Sequence, residues 1–439
     1  MQYKVFGCKV NKYFTDKWLN SEKLKDSSGI FVASCVVTDT AKRKWVKFVK
    51  QNIEKLWKND KMFISGCGAF EMGKENTSFF DIYSDLKPFQ NKIEILPENP
   101  DSPDTQGKIS PWWILSNNSK LQNLTSKLPW NTLFTKKFVL IQWGCDSYCT
   151  FCLTVQKRGK HFFRDKEDIL EEILEAQRNE VKEVVLTWVN LCAWGLENTN
   201  KVGKSRFAEL LTYILKNSDI GRIRISSLGP EFIDTKVLKI FENPRIYPHF
   251  HFSIQSWSSE ILKAMRRHYD GIYMRALLQK MREIKRKDDI QISIWADIIV
   301  GFPGETEKDF QDTYALVSEF KIGRLHAFPF SSHDYGEHVP AHFYKNQVGE
   351  SIKKERLHRL LDLWEKVRNE FIESQTWSTF DVLVEGKILW DTWSGWTQNY
   401  IEVDETNFKI TSGEIKRGAL LQGILLSRSQ KNRKEEKEA

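Results

Sequence analysis

The sequence predicts an α/β protein built from an N-terminal parallel α/β domain, a partial (β/α)6 barrel and a small C-terminal β-barrel. Short apolar strands alternate with polar helical stretches over residues 1–100, and six further strand–helix units follow within residues 138–375. Such alternation is typical of parallel sheets. Residues 377–427 instead hold short strands separated by glycines, which is typical of a small antiparallel barrel.

Composition limits the class of protein. The chain has 439 residues, enough for two or three domains of about 150 residues each. Its mean hydropathy is −0.48, its N-terminus resembles a strand, and it has no apolar run of about 18 residues. We therefore expect no membrane span and a cytoplasmic location. Seven cysteines, an odd number, favour metal ligands over a disulfide framework, and a formal net charge of +8 favours a polyanionic partner.

Domain boundaries follow breaks in the strand–helix pattern. Residues 96–135 are rich in proline and polar residues, so we place the first domain at residues 1–110 and the barrel at residues 131–375. The C-terminal barrel takes residues 376–427. The charged tail, residues 428–439, is expected to be disordered.

A cysteine follows each predicted strand of the first domain. The predicted strands are Gln2–Phe6, Gly29–Ser34 and Met62–Ser65, and the predicted helices are Asn11–Leu24 and Thr38–Trp57. Ligands collect beyond the carboxyl ends of parallel strands, so Cys8, Cys35 and Cys67 are expected to converge on one point. We name these three residues the N-terminal trio. The alternative is three unrelated buried thiols.

The barrel region opens with a strand at Phe138–Ile141 and a helix that begins at Asp165. The clearest later helix is Glu305–Phe320, and a long charged helix at about residues 346–376 closes the region. The remaining predicted strands are Glu183–Thr187, Arg222–Ser226, His251–Ser256, Gln291–Val300 and Arg324–Phe330. Active sites of such barrels lie at the carboxyl ends of the strands.

Cys145, Cys149 and Cys152, the barrel trio, follow the first barrel strand with C-x3-C-x2-C spacing. Thiolates are soft ligands that suit iron–sulfur clusters, and three ligands leave one iron of a four-iron cluster open. A zinc site would need a fourth ligand nearby, and the nearest candidate, His161, fits no common finger spacing. The spacing therefore favours a cluster over zinc or three buried thiols.

These segments together resemble the methylthiotransferase family of radical S-adenosylmethionine (SAM) enzymes. The resemblance covers nearly the whole chain and extends to a C-terminal module like the TRAM domain. Subgroups of the family modify isopentenyladenosine in tRNA, threonylcarbamoyladenosine in tRNA, or an aspartate of a ribosomal protein. The segments 7–11, 34–38 and 186–190 look like those of the threonylcarbamoyladenosine subgroup.

The resemblance implies an enzyme whose cofactors are two [4Fe-4S] clusters and SAM. The barrel trio would hold the cluster that cleaves SAM to a radical, and the N-terminal trio the cluster that donates sulfur. The implied product is N6-threonylcarbamoyladenosine methylthiolated at C2, with isopentenyladenosine as the alternative substrate. The implied partners are the anticodon stem-loop of tRNA and an electron donor such as flavodoxin or ferredoxin.

Five residues are expected to contact SAM, and no catalytic residue is assigned. Phe151 lies between two trio cysteines and, by resemblance, packs near the SAM adenine; ordinary core packing is the alternative. The others end barrel strands, where a structural role is also open, and they are Ser253, Gln255, Asp297 and His326.

Three further residues receive provisional roles. Arg158 is expected to meet substrate phosphate or to remain solvated, and Cys192 to be structural. Thr306, together with the preceding Glu305, is expected to cap a helix.

Tryptophan stands at three positions where the family pattern has glycine: Trp188, Trp257 and Trp295. Glycine there permits close backbone approach or positive φ, and an indole adds roughly 200 Å² of surface in the region expected to hold SAM. We hypothesise that the gene comes from an organism that reads UGA as glycine; UGG codons at these positions would exclude this. If the tryptophans are genuine, the alternative is a non-catalytic iron–sulfur protein that binds tRNA.

Basic and aromatic residues indicate candidate RNA contacts. The helix over residues 38–58 carries seven basic residues, beginning with Lys42, although such a run is often a solvated face. In the C-terminal barrel the candidates are Lys387, Tyr400 and Arg417. The predicted strands there are Phe380–Glu385, Tyr400–Val403 and Leu420–Leu425.

Overall fold

The computed structural model describes residues 1–69, 79–100, 133–196, 205–333, 338–388 and 392–427. The predicted tail and most of the predicted linker lie outside these ranges. Within them, no helix combines the length and the apolar character that a membrane crossing requires.

The N-terminal region is a four-stranded parallel sheet in the order β1-β2-β3-β4. Its strands are β1 (Gln2–Val5), β2 (Gly29–Ser34), β3 (Lys61–Gly66) and β4 (Ile93–Ile95). Its helices are α1 (Lys9–Leu19), α2 (Glu22–Lys25), α3 (Asp39–Ile53), α4 (Phe79–Ile82) and a 3-10 helix at Ser84–Lys92. The single helix predicted over residues 11–24 is wrong, because Asn20 ends α1 and the extended backbone of Ser21 opens α2.

The barrel region contains the six predicted strands and one additional short strand, β10, in two parallel sheets, β5-β8-β9 and β10-β11-β12-β13. Ser226 alone separates β9 from β10, so the two sheets follow each other around one core. The strands are β5 (Lys137–Leu140), β8 (Glu183–Thr187), β9 (Arg222–Ile225), β10 (Ser227–Leu228), β11 (His249–Gln255), β12 (Ser293–Val300) and β13 (Arg324–Pro329). A short antiparallel pair, β6 (Gln142–Trp143) and β7 (Phe162–Phe163), flanks the barrel trio.

Helices connect these strands, as expected for parallel pairing. They are α5 (Thr154–Arg158), α6 (Lys166–Arg178), α7 (Phe207–Asn217), α8 (Thr235–Ile240), α9 (Ser259–Ala264), α10 (Gly271–Glu283), α11 (Glu307–Glu319) and α12 (Glu350–Glu373). Thr306 caps α11 in a reciprocal pair with Asp309, which confirms the predicted cap. Glu305 has a different role, since its carboxylate pairs with Arg356 at 2.7 Å.

One hydrophobic core joins the N-terminal region to the barrel. Val10, Tyr13 and Phe14 of α1 belong to the same buried cluster as the apolar residues of β5, β8 and β11. Strand β8 is buried along its whole length, as is typical of a parallel strand covered on both faces. This shared core fixes α1, and with it Cys8 at the N-cap of α1, against the barrel.

The C-terminal region is a five-stranded antiparallel sheet in the order β16-β15-β14-β18-β17. Its strands are β14 (Thr379–Ile388), β15 (Thr392–Trp396), β16 (Glu402–Asp404), β17 (Phe408–Ser412) and β18 (Leu420–Leu425). The sequence prediction missed β15 and β17, and it began β16 too early because Tyr400 has a φ of +67°. Phe371 and Ile372 of α12 complete the core of this sheet.

Buried charges join this sheet to the barrel. Arg224 is fully buried, pairs with Glu183 at 2.7 Å and donates to the carbonyl of Gln398 at 3.1 Å. The Tyr400 ring stacks on His249 at 4.6 Å between ring centroids, and its centroid lies 4.0 Å from the Arg224 guanidinium. The ring predicted to stack on RNA is therefore held by the protein's own side chains.

Candidate active site

The N-terminal trio converges at the carboxyl edge of the N-terminal sheet, as predicted. Cys35 and Cys67 are buried, and they follow β2 and β3, which end side by side. Gly7, with a φ of +87°, brings the chain to the same point. A Cβ at Gly7 would lie 2.5 Å from Cys35 Sγ, so the approach of Cys8 to Cys35 requires glycine here.

Backbone and amide donors hold the loops of this trio. Asn11 donates from Nδ2 to the carbonyls of Phe6 and Ser34, at 2.6 Å and 2.7 Å, and so ties the loop after β1 to β2. The amide of Val36 donates to Cys67 Sγ at 3.4 Å. Amide donors of this kind stabilise sulfur that carries negative charge.

The neighbouring thiols of Cys35 and Cys67 differ in acidity. Interaction with the Cys35 thiol, aided by Arg158, lowers the pKa of Cys67 to about 7 despite burial. Interaction with Cys67, together with burial, raises the pKa of Cys35 well above its usual value. Cys67 is therefore readier than Cys35 to bind metal as a thiolate.

The barrel trio lies on a loop between β6 and β7 that backbone contacts hold in place. Gly144 has a φ of +66°, and a Cβ there would lie 1.7 Å from the carbonyl oxygen of Lys160. The Cys145 amide donates to the carbonyl of Gly159 at 3.0 Å. Thr150 donates from Oγ1 to the carbonyl of Ala264 at 2.9 Å, which anchors the loop to the end of α9.

Each thiol of the barrel trio has a donor. The amides of Ser147 and Thr154 donate to Cys145 and Cys152, at 3.5 Å and 3.4 Å, and Arg267 donates to Cys149 at 3.2 Å. Burial, and then the neighbouring Cys149, raises the pKa of Cys145 to about 12 and also raises the pKa of Cys152. A metal must therefore displace protons from these thiols when it binds.

The spread of the sulfur atoms bears on the choice between a cluster and zinc. Tetrahedral zinc with bonds of about 2.3 Å places its sulfur ligands roughly 4 Å apart. Within the described ranges, the one group with three His, Cys, Asp or Glu ligand atoms mutually within 4.8 Å is His251, Asp297 and His326. In each trio, at least one pair of sulfur atoms therefore lies farther apart than 4.8 Å.

A cavity of about 230 Å³ lies between the two trios. Cys67 lines it from the N-terminal side and Cys152 from the barrel side. Of the five residues predicted to contact SAM, the cavity wall includes Phe151, Gln255 and Asp297. Gln255 has a φ of +71°, a strained conformation of the kind that clusters at functional sites.

The other two residues predicted to contact SAM, Ser253 and His326, do not line the cavity. Ser253 shares a hydrogen bond of 3.1 Å with Ser227, and His326 Nδ1 lies 3.3 Å from Asp297 Oδ1. His251, which the sequence prediction missed as a site residue, binds the same carboxylate through Nε2 at 2.8 Å. Burial opposes the charge on Asp297, but His251 and His326 outweigh it and hold the pKa of that carboxyl well below its usual range.

Arg158 is buried, so the expectation that it remains solvated was wrong, whereas its proposed contact with substrate phosphate stays a prediction. The side chain is 5% exposed, and Nη2 lies 2.8 Å from Glu98 Oε1. The same nitrogen lies 3.9 Å from Cys8 Sγ, because α5 directs its last residue from the barrel loop toward the N-terminal trio. Glu98 carried no signal in the sequence, since its stretch is a polar turn.

The three motif tryptophans are packed in the interior. Trp188, Trp257 and Trp295 are 2%, 8% and 6% exposed, and none has a positive φ. None of them lines the cavity described above. Trp188 donates from Nε1 to the carbonyl of Gly144 at 2.6 Å and stacks on Trp143.

The remaining predicted residues divide between core and surface. Cys192 is fully buried in the main core, as expected for a structural residue. Lys42 is buried and pairs with Asp39 at 3.7 Å, so it does not face RNA. Arg417 is exposed, and the side chain of Lys387 lies outside the described residues.

Comparison with known proteins agrees with this geometry. A model of the radical SAM superfamily matches residues 139–317. The chain is 32% identical to the threonylcarbamoyladenosine tRNA methylthiotransferase MtaB of Thermotoga maritima, over 92% of this chain and 90% of the relative. It is 30% identical to a tRNA-2-methylthio-N(6)-dimethylallyladenosine synthase of Methylacidiphilum infernorum, over 88% of this chain and 84% of the relative. It is 28% identical to the ribosomal protein uS12 methylthiotransferase RimO of Alkaliphilus oremlandii, over 87% of this chain and 85% of the relative.

Proposed function

Because the chain belongs to the radical SAM methylthiotransferase family, it is a transferase, and we propose that it methylthiolates N6-threonylcarbamoyladenosine beside the anticodon of tRNA. The observation that carries this proposal is one cavity lined by Cys67 of the N-terminal trio and by Cys152 of the barrel trio. A single radical SAM cluster needs only the barrel trio. The second trio, which reaches the same cavity through Cys67, supports a second [4Fe-4S] cluster that donates sulfur.

The donor sets suit these cofactors. The barrel trio would hold the radical SAM cluster, and the N-terminal trio the sulfur-donating cluster. When bound, the two clusters and SAM supply the radical chemistry and the sulfur. The protein positions them: amide and guanidinium groups donate to the thiolates, and the apolar wall of Phe151 and Leu153 keeps water away from the reacting atoms.

Polar groups of the cavity wall orient SAM and the substrate. Asp297 presents a carboxylate that His251 and His326 hold in its ionised form, suited to accept hydrogen bonds from ribose hydroxyls or from an amino group. Gln255 offers an amide on the same wall. Ser253 and His326 then act by supporting this wall rather than by touching SAM.

The subgroup assignment rests on relatedness. The relative that acts on threonylcarbamoyladenosine is 32% identical, and a second of that name, from Bacillus subtilis, aligns over 91% of this chain. The dimethylallyladenosine synthase at 30% identity keeps isopentenyl-type adenosine as the second candidate substrate.

We assign the domains accordingly. Residues 1–110 form the methylthiotransferase domain, 131–375 the radical SAM (β/α)6 barrel, and 376–427 a TRAM-like barrel that grips the anticodon stem-loop. The exposed Arg417 and the exposed basic residues of α3, such as Arg43 and Lys47, are the proposed phosphate contacts. A flavodoxin or ferredoxin is the proposed electron donor.

The experiment compares two substrates that differ only in the N6 group. Anaerobically reconstituted protein, SAM and a reductant are incubated with anticodon stem-loops carrying either threonylcarbamoyladenosine or isopentenyladenosine. Mass spectrometry of the digested nucleosides is expected to show the 2-methylthio product of the first and little of the second. Cys8→Ala is expected to abolish the product, whereas the matched control Cys192→Ala, a buried thiol outside both trios, retains it.

Two results would contradict the proposal. Preferential conversion of isopentenyladenosine would transfer the assignment to that subgroup. Absence of 5′-deoxyadenosine release from the reduced protein with SAM would favour the non-catalytic tRNA-binding alternative. UGG codons at Trp188, Trp257 and Trp295 would further support that alternative, because the tryptophans would then be genuine.

A further inference from the structure

Each cysteine trio has one buried arginine that donates to one of its thiols. Arg158 Nη2 lies 3.9 Å from Cys8 Sγ, and Arg267 Nη1 lies 3.2 Å from Cys149 Sγ. The two guanidinium groups reach their thiols from the barrel, one at the end of α5 and one after α9. Both arginine side chains are less than 10% exposed.

A buried glutamate faces each arginine. Glu98 Oε1 lies 2.8 Å from Arg158, and Glu231 Oε2 lies 3.9 Å from Arg267. The Arg158–Glu98 pair is the tighter, and Trp188 covers it with a ring centroid 5.0 Å from the guanidinium. Little water reaches these charges, so their fields act on the nearby sulfur with little screening.

Arg158 is also unusual in its connectivity. It follows the barrel trio by six residues, yet its guanidinium serves the N-terminal trio, and it lines the cavity between them. Its Nε is buried without a hydrogen-bond partner among the described residues, so its polar contacts come from its terminal nitrogens. Packing therefore places a fixed positive charge beside Cys8 and a fixed negative charge one contact further away.

We propose that Arg158 and Glu98 set the reduction potential of the cluster on the N-terminal trio, Arg158 raising it and Glu98 lowering it. Reduction adds negative charge to a cluster, which a cation at a ligand sulfur stabilises and a nearby carboxylate destabilises. Arg158 is thus a positioning and tuning residue. This inference rests on the proposed function, since it requires a cluster on that trio.

The test isolates that cluster in the full-length chain. Replacing the barrel trio by alanine leaves the N-terminal trio as the cluster site, and an anaerobic dithionite titration followed by electron paramagnetic resonance gives its potential. In this background Arg158→Gln is expected to lower the ratio of reduced to oxidised cluster at least tenfold at a fixed potential. For a one-electron couple that equals a shift of about 59 mV to lower potential. Glu98→Gln is expected to shift the potential in the opposite direction.

Arg164→Gln is the matched control. Arg164 pairs with Glu172 at 2.8 Å and is similarly enclosed, but it contacts no trio cysteine. Its loss is expected to leave the potential unchanged. A merely structural role for Arg158 would not produce opposite shifts in Arg158→Gln and Glu98→Gln.

Several outcomes would overturn the inference. These are an unmoved potential in both variants with iron retained, shifts of the same sign, or a shift in Arg164→Gln as large as that in Arg158→Gln. If Arg158→Gln binds no iron, Glu98→Gln decides: an upward shift supports the inference and an unmoved potential overturns it. A background protein without iron would refute the second cluster itself, and hence the proposed function as well.

Discussion

Gly144→Ala is predicted to dislodge the barrel trio. The new Cβ would lie 1.7 Å from the carbonyl oxygen of Lys160, whereas such contacts are not seen below 3.0 Å, so the two backbones must separate by about 1.3 Å. The neighbouring bond from the Cys145 amide to the carbonyl of Gly159 would then be lost. Because the backbone fixes the position of the alanine Cβ and the Lys160 oxygen is itself a backbone atom, no side-chain rotation relieves the clash.

The expected cost has two parts. A φ of +66° is unfavourable for alanine by roughly 1–2 kcal/mol, and overpacking adds about 1–3 kcal/mol. Gly304→Ala is the matched control, because Gly304 has a φ of +88° but a Cβ added there would meet no described atom within 4 Å. Gly304→Ala should therefore lose only the unfolding free energy that the positive φ accounts for.

The assay combines denaturant unfolding with iron analysis after anaerobic reconstitution. Gly144→Ala is expected to lose about 2–5 kcal/mol of unfolding free energy and the iron of one cluster, while Gly304→Ala loses about 1–2 kcal/mol and no iron. Equal stability losses in the two variants, or full iron content in Gly144→Ala, would refute the reasoning that backbone contact sets the position of the trio.

Three further predictions concern stability and acidity. Glu183→Gln is expected to cost about 3–5 kcal/mol in urea unfolding, since it leaves Arg222 and Arg224 buried without their carboxylate. The exposed-pair variant Glu209→Gln should cost less than about 1 kcal/mol, and equal losses in the two variants would contradict this reasoning. In metal-free protein, alkylation of Cys67 should rise as pH increases through about 7, because its lowered pKa makes the thiolate available above that value. Cys145, whose pKa is raised to about 12, should stay unmodified at pH 8. Mass spectrometry that finds Cys145 alkylated before Cys67 would contradict these pKa shifts. Trp188→Gly should cost about 3–5 kcal/mol by thermal unfolding because the buried indole bonds Gly144 and stacks on Trp143, and a variant as stable as the parent would show that the fold does not need the indole.

The sequence was most informative where a pattern repeats or a spacing is specific. The strands Gly29–Ser34 and Glu183–Thr187 have the predicted bounds, because each is a continuous apolar run between turn residues. The convergence of Cys8, Cys35 and Cys67 followed from parallel strand order alone.

What could not be predicted depends on contacts between distant segments. Glu98 meets Arg158 sixty residues away, and the Asp297 carboxylate is held by His251 and His326 from two neighbouring strands. The environment of Tyr400 was also missed, since its ring enters the barrel through a positive-φ turn that the sequence does not mark. Local patterns describe elements, but these pairings arise only when the elements pack.

The most direct test of the account is the iron content of the triple variant Cys8→Ala, Cys35→Ala and Cys67→Ala. Anaerobically reconstituted parent protein is predicted to hold about eight irons, and the triple variant about four, because only the barrel trio remains. Cys192→Ala should hold as many as the parent. An unchanged iron content in the triple variant would contradict the claim that two clusters share one cavity.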